Sequence, residues 1–141
     1  MTTKTCTELL DALVGTINAI DVSSDSAGPD DKFAAVIGQP DRFLGDRMVV
    51  MLPSGSRRSE RVLDRKVHEM DLDLVTLYRL TPGAWSRAAD DAGRVAEAMH
   101  EIVSTVDSVQ NVQVDMGLID TTGDGYLSCS RSVSIEWNRT A

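Results

Sequence analysis

The sequence predicts an α+β fold, in which a mainly antiparallel sheet of about four strands carries two helices packed on one face. Two segments place apolar residues at helical spacing, and others alternate apolar and polar residues at every second position, as half-buried strands do. The order along the chain is helix, two strands, helix, two strands. The chain has 141 residues, of which 42% are hydrophobic, so we expect a single α+β domain over 1–141 with one core.

The first helix is predicted over 5–20. Thr5 and Glu8 fit a capping box, in which a threonine and a glutamate three positions later satisfy the first backbone N–H groups of a helix. Apolar residues then share one stripe: Leu9, Leu10, Leu13, Val14, Ile17 and Ile20. A long acidic loop over 21–46 follows, rich in Gly, Pro, Ser and Asp. Within this loop, the apolar run 33–37 is compatible with either a short strand or a helical turn.

A hairpin is predicted over 47–80. The apolar run 48–52 indicates a buried strand, and 68–80 alternates apolar with charged residues and indicates a half-buried strand. The charged stretch 56–66 between them is the predicted tip of the hairpin. The turn at 81–83, with a proline and a glycine, ends the second strand.

The second helix is predicted over 84–107, with a closing hairpin over 109–138. The helix carries an apolar stripe that includes Trp85 and Val103, while the charged residues Asp90, Asp91, Arg94, Glu97 and Glu101 are expected to face away. An Asp-Gly turn within 121–125 joins the last two strands. The residues expected to form the centre of the core are Leu13, Ile17, Leu72, Leu74, Val95, Met99, Val103, Val133 and Ile135.

No pattern in the sequence indicates catalysis, a metal or a cofactor. The only cysteines, Cys6 and Cys129, are too far apart for a zinc motif. Neither His68 nor His100 begins a metal-binding helical pair, and the segment 120–125 lacks the glutamate that completes a calcium loop. We therefore expect a protein that is not an enzyme.

The net charge and the hydropathy pattern argue against sequence-specific nucleic-acid binding, a membrane span and a secretory signal. The formal net charge is −8 and the pI is about 4.6, which argues against sequence-specific binding of nucleic acid. No apolar run approaches the ~20 residues of a membrane span. Glu8 and Asp11 interrupt the N-terminal apolar stretch, so no secretory signal is expected.

The predicted interaction site combines a basic tip with an acidic loop. The cations of the tip are Arg57, Arg58, Arg61, Arg65 and Lys66, and the acidic partners proposed on a neighbouring copy are Asp25, Asp30 and Asp31. Opposite charges at two places on one subunit favour a head-to-tail contact, which can close into a ring. A solvated hairpin arm without a partner is one alternative, and a nearby nucleic-acid duplex is a second target of the arm, which the net charge of −8 makes the weaker one.

The layout of nearly the whole chain resembles the tail terminator proteins of long-tailed phages. After the opening Leu-rich helix come the strand GDRMVVMLP, the charged SRRSERVLDRKV and the long strand HEMDLDLVTLYRL. The helix RAADDAGRVAEAMHEIV and the closing strand LSCSRSVSIEWNRT complete the pattern. The long acidic segment departs from it.

This resemblance implies a virion protein of the tail and neck, present in the host cytoplasm during assembly. It implies a ring, typically a homohexamer, that sits on the tail tube, stops tube polymerisation and contacts a head-side connector or head-closure protein, with no catalytic residues. DNA would pass through the ring. The alternatives are another neck protein (head-closure or adaptor), a dimeric regulatory protein, and a small cytosolic α+β ligand-binding domain or enzyme.

Overall fold

Two helices and a mixed, open sheet form the α+β fold of the computed structural model, which describes residues 6–20, 33–38, 47–58, 66–106 and 109–139. The described sheet has six strands, where the sequence predicted about four. The elements are α1 (Cys6–Asn18), β1 (Phe33–Ile37), β2 (Arg47–Arg58), β3 (Lys66–Arg79), α2 (Ala84–Thr105), β4 (Val109–Val114), β5 (Leu118–Thr121) and β6 (Tyr126–Arg139).

The first additional strand is β1, which lies within the segment 21–46 predicted as a loop. It pairs in parallel with the first half of β2, from Phe33 opposite Arg47 to Ile37 opposite Met51. Gly38 then adopts a φ of 81° and donates its backbone N–H to the Met51 carbonyl at 2.9 Å. The run FAAVI is therefore a strand, and it makes the sheet mixed.

The strand order is β1-β2-β3-β6-β4, and every pairing other than β1 with β2 is antiparallel. The long strands β3 and β6 pair along their whole lengths. The β2–β3 register shifts between Pro53 and Gly55, beyond the end of β1, where the missing N–H of proline costs no sheet hydrogen bond. The hydroxyl of Ser54 at this bulge donates to the Asp71 carbonyl at 3.1 Å.

The second additional strand arises because the predicted strand after α2 is broken into β4 and β5 at residues 115–117. Both pieces pair with β6. At the break, a Cβ on Gly117 would lie 2.6 Å from Nη2 of Arg131 and 2.7 Å from Sγ of Cys129. A larger residue at this position would therefore force the side chains of Arg131 and Cys129 to move.

Both helices pack on one face of the sheet and share one apolar core with it. Every predicted core residue except Val103 is buried there. Val103 is 42% exposed and Trp85 is 51% exposed, so the prediction that they face the core was wrong. The buried side of α2 is narrower than the predicted stripe: Ala84, Ala88, Asp91, Val95, Ala98, Met99 and Ile102.

Candidate functional site

The described part of the predicted basic tip lies at one end of the sheet. Arg57 and Arg58 are the last residues of β2, opposite Glu69 and His68 of β3, and Lys66 begins β3 opposite Arg139 of β6. The described backbone therefore places four basic residues at the same end of the sheet: Arg57, Arg58, Lys66 and Arg139. The other predicted interface residues lie outside the described residues: Arg61, Arg65, Asp25, Asp30 and Asp31.

A second acidic surface, which the sequence did not indicate, lies on the sheet face opposite the helices. Alternation along β3 places Asp71 and Asp73 on this face, because Met70, Leu72 and Leu74 face the core. Asp115, just after β4, lines a depression of about 340 Å³ together with both aspartates. We call this surface, with Glu69 and Glu136 of the same face, the acidic strip.

Hydroxyl groups of β6 hold part of the acidic strip in place. Ser132 Oγ donates to Asp73 Oδ1 at 3.2 Å, and Ser134 Oγ donates to Glu69 Oε1 at 3.3 Å. These serines alternate with the core residues of β6 and therefore occupy the same face as the carboxylates. The strip is thus a partly ordered row of acceptors.

An apolar corner adjoins the acidic strip. A groove of about 350 Å³ is lined there by Leu52, Val75, Met116 and Leu118, beside Asp73 and Asp115. Met116 is 86% exposed and Leu118 is 71% exposed. Together with the groove, these two side chains form a small apolar patch on the surface. The face opposite the helices therefore has an acidic half and an apolar half.

A buried polar cluster lies on the helix side, beneath α2. Asp91 Oδ2 accepts a hydrogen bond from the Tyr78 hydroxyl at 2.9 Å, and Asp91 Oδ1 accepts from Nη1 of Arg47 at 3.3 Å and of Arg94 at 2.8 Å. The guanidinium of Arg47 also lies 5.5 Å from the centre of the Phe33 ring. The cluster links α2 to β1, β2 and β3.

Burial dominates the protonation of this cluster. It raises the pKa of the Asp91 carboxyl, although Arg47 and the hydrogen bonds from Tyr78 and Arg94 act in the opposite direction. It also raises the pKa of the Tyr78 hydroxyl, and the negative charge of Asp91 adds to that rise. Because Arg47, Tyr78 and Asp91 are at most 2% exposed, a substrate has no access to them, and their role is to fix α2 on the sheet.

The prediction that Asp91 faces away from the core was therefore wrong. The sequence did contain a signal for its position. Asp91 follows Ala88 by three residues and precedes Val95 by four, which is the spacing of one helix face. A charged residue on such a face is typically paired when buried, as Asp91 is with Arg47 and Arg94.

The remaining candidates from the sequence have local structural roles. The ring of His68 stacks on the buried Trp137 with centroids 5.3 Å apart. In the turn before β6, Asp120 accepts the backbone N–H of Thr121, and the Thr122 hydroxyl donates to the Tyr126 carbonyl. These contacts are those of a hairpin turn.

The described part of the chain contains neither a metal-binding group of side chains nor a helix that could span a membrane. No group of three or more His, Cys, Asp or Glu side chains is placed there to hold a metal ion. Neither described helix is long and apolar enough to cross a membrane. A third surface, the groove between α1 and α2, has a volume of about 510 Å³ and includes Thr16, Arg94 and Glu101 in its lining.

Comparison with known proteins supplies no family for the chain. No protein-family model matches the sequence, and no curated protein matches it.

Proposed function

We propose that this protein is a structural component of the neck of a long-tailed phage and acts as a tail terminator. In this proposal it forms a ring, typically of six copies, on the end of the tail tube. One ring face stops further polymerisation of the tube protein, and the other contacts a head-side connector or head-closure protein. The protein works through complementary surfaces, without catalysis or a cofactor.

The observation that carries this proposal is the separation of opposite charges on one subunit. Basic positions gather at the end of β2 and β3, whereas the acidic strip begins beside that end at Glu69 and continues along β3 to Asp73 and across β6 to Asp115. Such a subunit is suited to a heterologous contact, in which one surface binds a different surface of the next copy. Repetition of this contact around an axis closes a ring.

Apolar contacts supply most of the affinity in this proposal. Exposed ion pairs contribute only ~0.2–1 kcal/mol each, so charge sets orientation and register more than strength. Met116 and Leu118, exposed beside the acidic strip, are the described apolar residues best placed to be covered on assembly.

The location follows from the same proposal. The protein resides in the virion, at the junction of tail and neck, and in the host cytoplasm during assembly. DNA passes through the ring without being read by sequence, consistent with the net charge of −8. No membrane takes part.

The test is the length of tail tubes assembled with and without this protein, measured by negative-stain electron microscopy. A terminator is expected to give tubes of uniform length, and its omission to give tubes that continue to grow. Another neck protein, such as a head-closure protein or an adaptor, leaves tube length unchanged when omitted and only prevents joining to heads. Tubes of normal length without this protein would therefore contradict the terminator assignment.

A further inference from the structure

We propose that the sheet face opposite the helices binds the basic segment 57–66 of a second copy of this chain. This replaces the acidic loop as the surface that receives the basic segment. The inference rests on the self-assembly in the proposed function and names the two surfaces that meet.

Charge complementarity identifies the occupant. The acidic strip presents Asp71, Asp73 and Asp115 on one continuous surface. The chain has only 14 lysines and arginines in total, and five of them lie within residues 57–66. A second copy with net charge −8 is repelled from this surface in most orientations. The orientation that presents residues 57–66 is the one that replaces repulsion with attraction.

The distance along β3 favours a contact between the far end of the acidic strip and the basic segment of a second copy, and not the basic segment of the same chain. Asp73 follows Lys66 by seven positions on the continuous strand β3. At about 3.3 Å per residue, their Cα atoms are roughly 23 Å apart. Arg57 lies opposite Glu69, four positions or roughly 13 Å along the strand from Asp73. None of the basic positions described at this end therefore lies directly beside Asp73 in its own subunit, and a neighbouring subunit can bring the two charges together.

Two further features of this face are typical of an interface. A hydrogen bond holds one of its carboxylates in place, and an apolar corner adjoins the acidic strip. Ser132 holds the Asp73 carboxylate by a hydrogen bond of 3.2 Å, so less side-chain freedom is lost when a guanidinium binds. Arginine can contact a carboxylate through two parallel hydrogen bonds, which fixes register as well as charge. Met116 and Leu118 then lie where the body of the arriving hairpin covers them.

The experiment is a charge swap on the full chain. One variant reverses the acidic strip (Asp71→Lys, Asp115→Lys), a second reverses the basic segment (Arg61→Glu, Arg65→Glu), and a third carries all four changes. Asp71 and Asp115 are both exposed, so these changes are expected to leave the fold intact, which circular dichroism checks. The matched control reverses two exposed carboxylates of α2 (Asp90→Lys, Glu97→Lys).

Sedimentation velocity at low salt measures association. Each two-site variant is expected to weaken self-association by about tenfold or more, because like charges then face each other. The four-site variant is expected to recover most of the loss, and the helix control to associate as the original chain does. A nonspecific effect of charge would not restore self-association in the four-site variant, so recovery there would be specific to the proposed contact.

The outcomes separate this inference from the proposed function. Rings that form equally well in both two-site variants would overturn the contact and leave the terminator assignment standing. A dimer whose association follows the charge swap would support the contact and contradict the ring. A chain that stays monomeric at all concentrations would overturn both.

Discussion

The hydroxyl of Tyr78 donates a hydrogen bond of 2.9 Å to Asp91 Oδ2 and thereby joins β3 to α2 through two side chains that are almost fully buried. Arg47 and Arg94 donate to the other carboxylate oxygen. Tyr78 belongs to the small apolar cluster around Ala88 and Leu127, whereas Arg47 lies over Phe33 of the main core. The position of α2 on the sheet is therefore fixed by polar contacts as well as apolar packing.

Replacing Asp91 with Ala is expected to lower the free energy of unfolding by about 3–5 kcal/mol, because it removes the acceptor that Tyr78, Arg47 and Arg94 share within the protein. Asp91→Asn is the matched control. The amide keeps the shape of the side chain and one acceptor oxygen for these donors, so Asp91→Asn is expected to cost less. Urea unfolding of both variants measures this difference, and equal losses would contradict the role given to the shared acceptor.

The Tyr78 phenol is expected to make the fold sensitive to alkali. Burial raises its pKa above the ordinary value of 10.0. Below about pH 10 the phenol is protonated in both states. Above this pH the unfolded chain releases the proton and the folded protein retains it, so the contribution of Tyr78 to stability falls by about 1.4 kcal/mol per pH unit.

Tyr78→Phe removes this alkaline loss together with the hydrogen bond to Asp91. The variant is expected to be less stable than the original chain at pH 8 and to lose stability less steeply above pH 10. Thermal unfolding across this pH range measures both slopes. Identical slopes would show that the Tyr78 proton is released equally in the folded and unfolded states.

A side chain at Gly117 is expected to destabilise the fold. Gly117→Ala places a Cβ 2.6 Å from Arg131 Nη2 and 2.7 Å from Cys129 Sγ, and relief of this overlap is expected to cost about 1–3 kcal/mol. Gly123→Ala is the control, because a Cβ there meets no atom within 4 Å. Denaturant unfolding compares the two, and a neutral Gly117→Ala would mean that β4 and β5 separate readily at this break.

Leu72 tests the shared core of the two helices and the sheet. Leu72→Ala removes a fully buried side chain of β3 and is expected to cost about 2–5 kcal/mol. Leu80→Ala, at the exposed end of the same segment, is expected to change the free energy of unfolding by less than about 0.5 kcal/mol. A similar loss at both positions would contradict the core described here.

The elements with strong periodicity could be predicted from sequence. The pattern on β3, in which Met70, Leu72 and Leu74 alternate with charged residues, is a local property and is retained in the fold. The α+β class follows from the order of such segments. The break at Gly117 could not be predicted in this way, because it depends on Arg131 and Cys129 on a strand that follows later in the chain.

Pairing between distant segments also explains the other differences. The run at β1 is short and lies among turn-forming residues, and its strand conformation depends on parallel pairing with β2. Val103 is apolar but lies outside the narrow buried side of α2. The acidic strip could not be predicted because it unites carboxylates of β3, β6 and the segment after β4, which only the sheet order brings together.

The most direct test of the central claim, that this chain assembles head to tail into a ring, is the native mass of the full-length protein. At low salt and micromolar concentration, we expect one dominant closed species, a hexamer of the 15.3 kDa chain, whose association weakens modestly as salt is raised because the exposed charges are screened while the apolar contacts remain. A monomer or a symmetric dimer under the same conditions would contradict it.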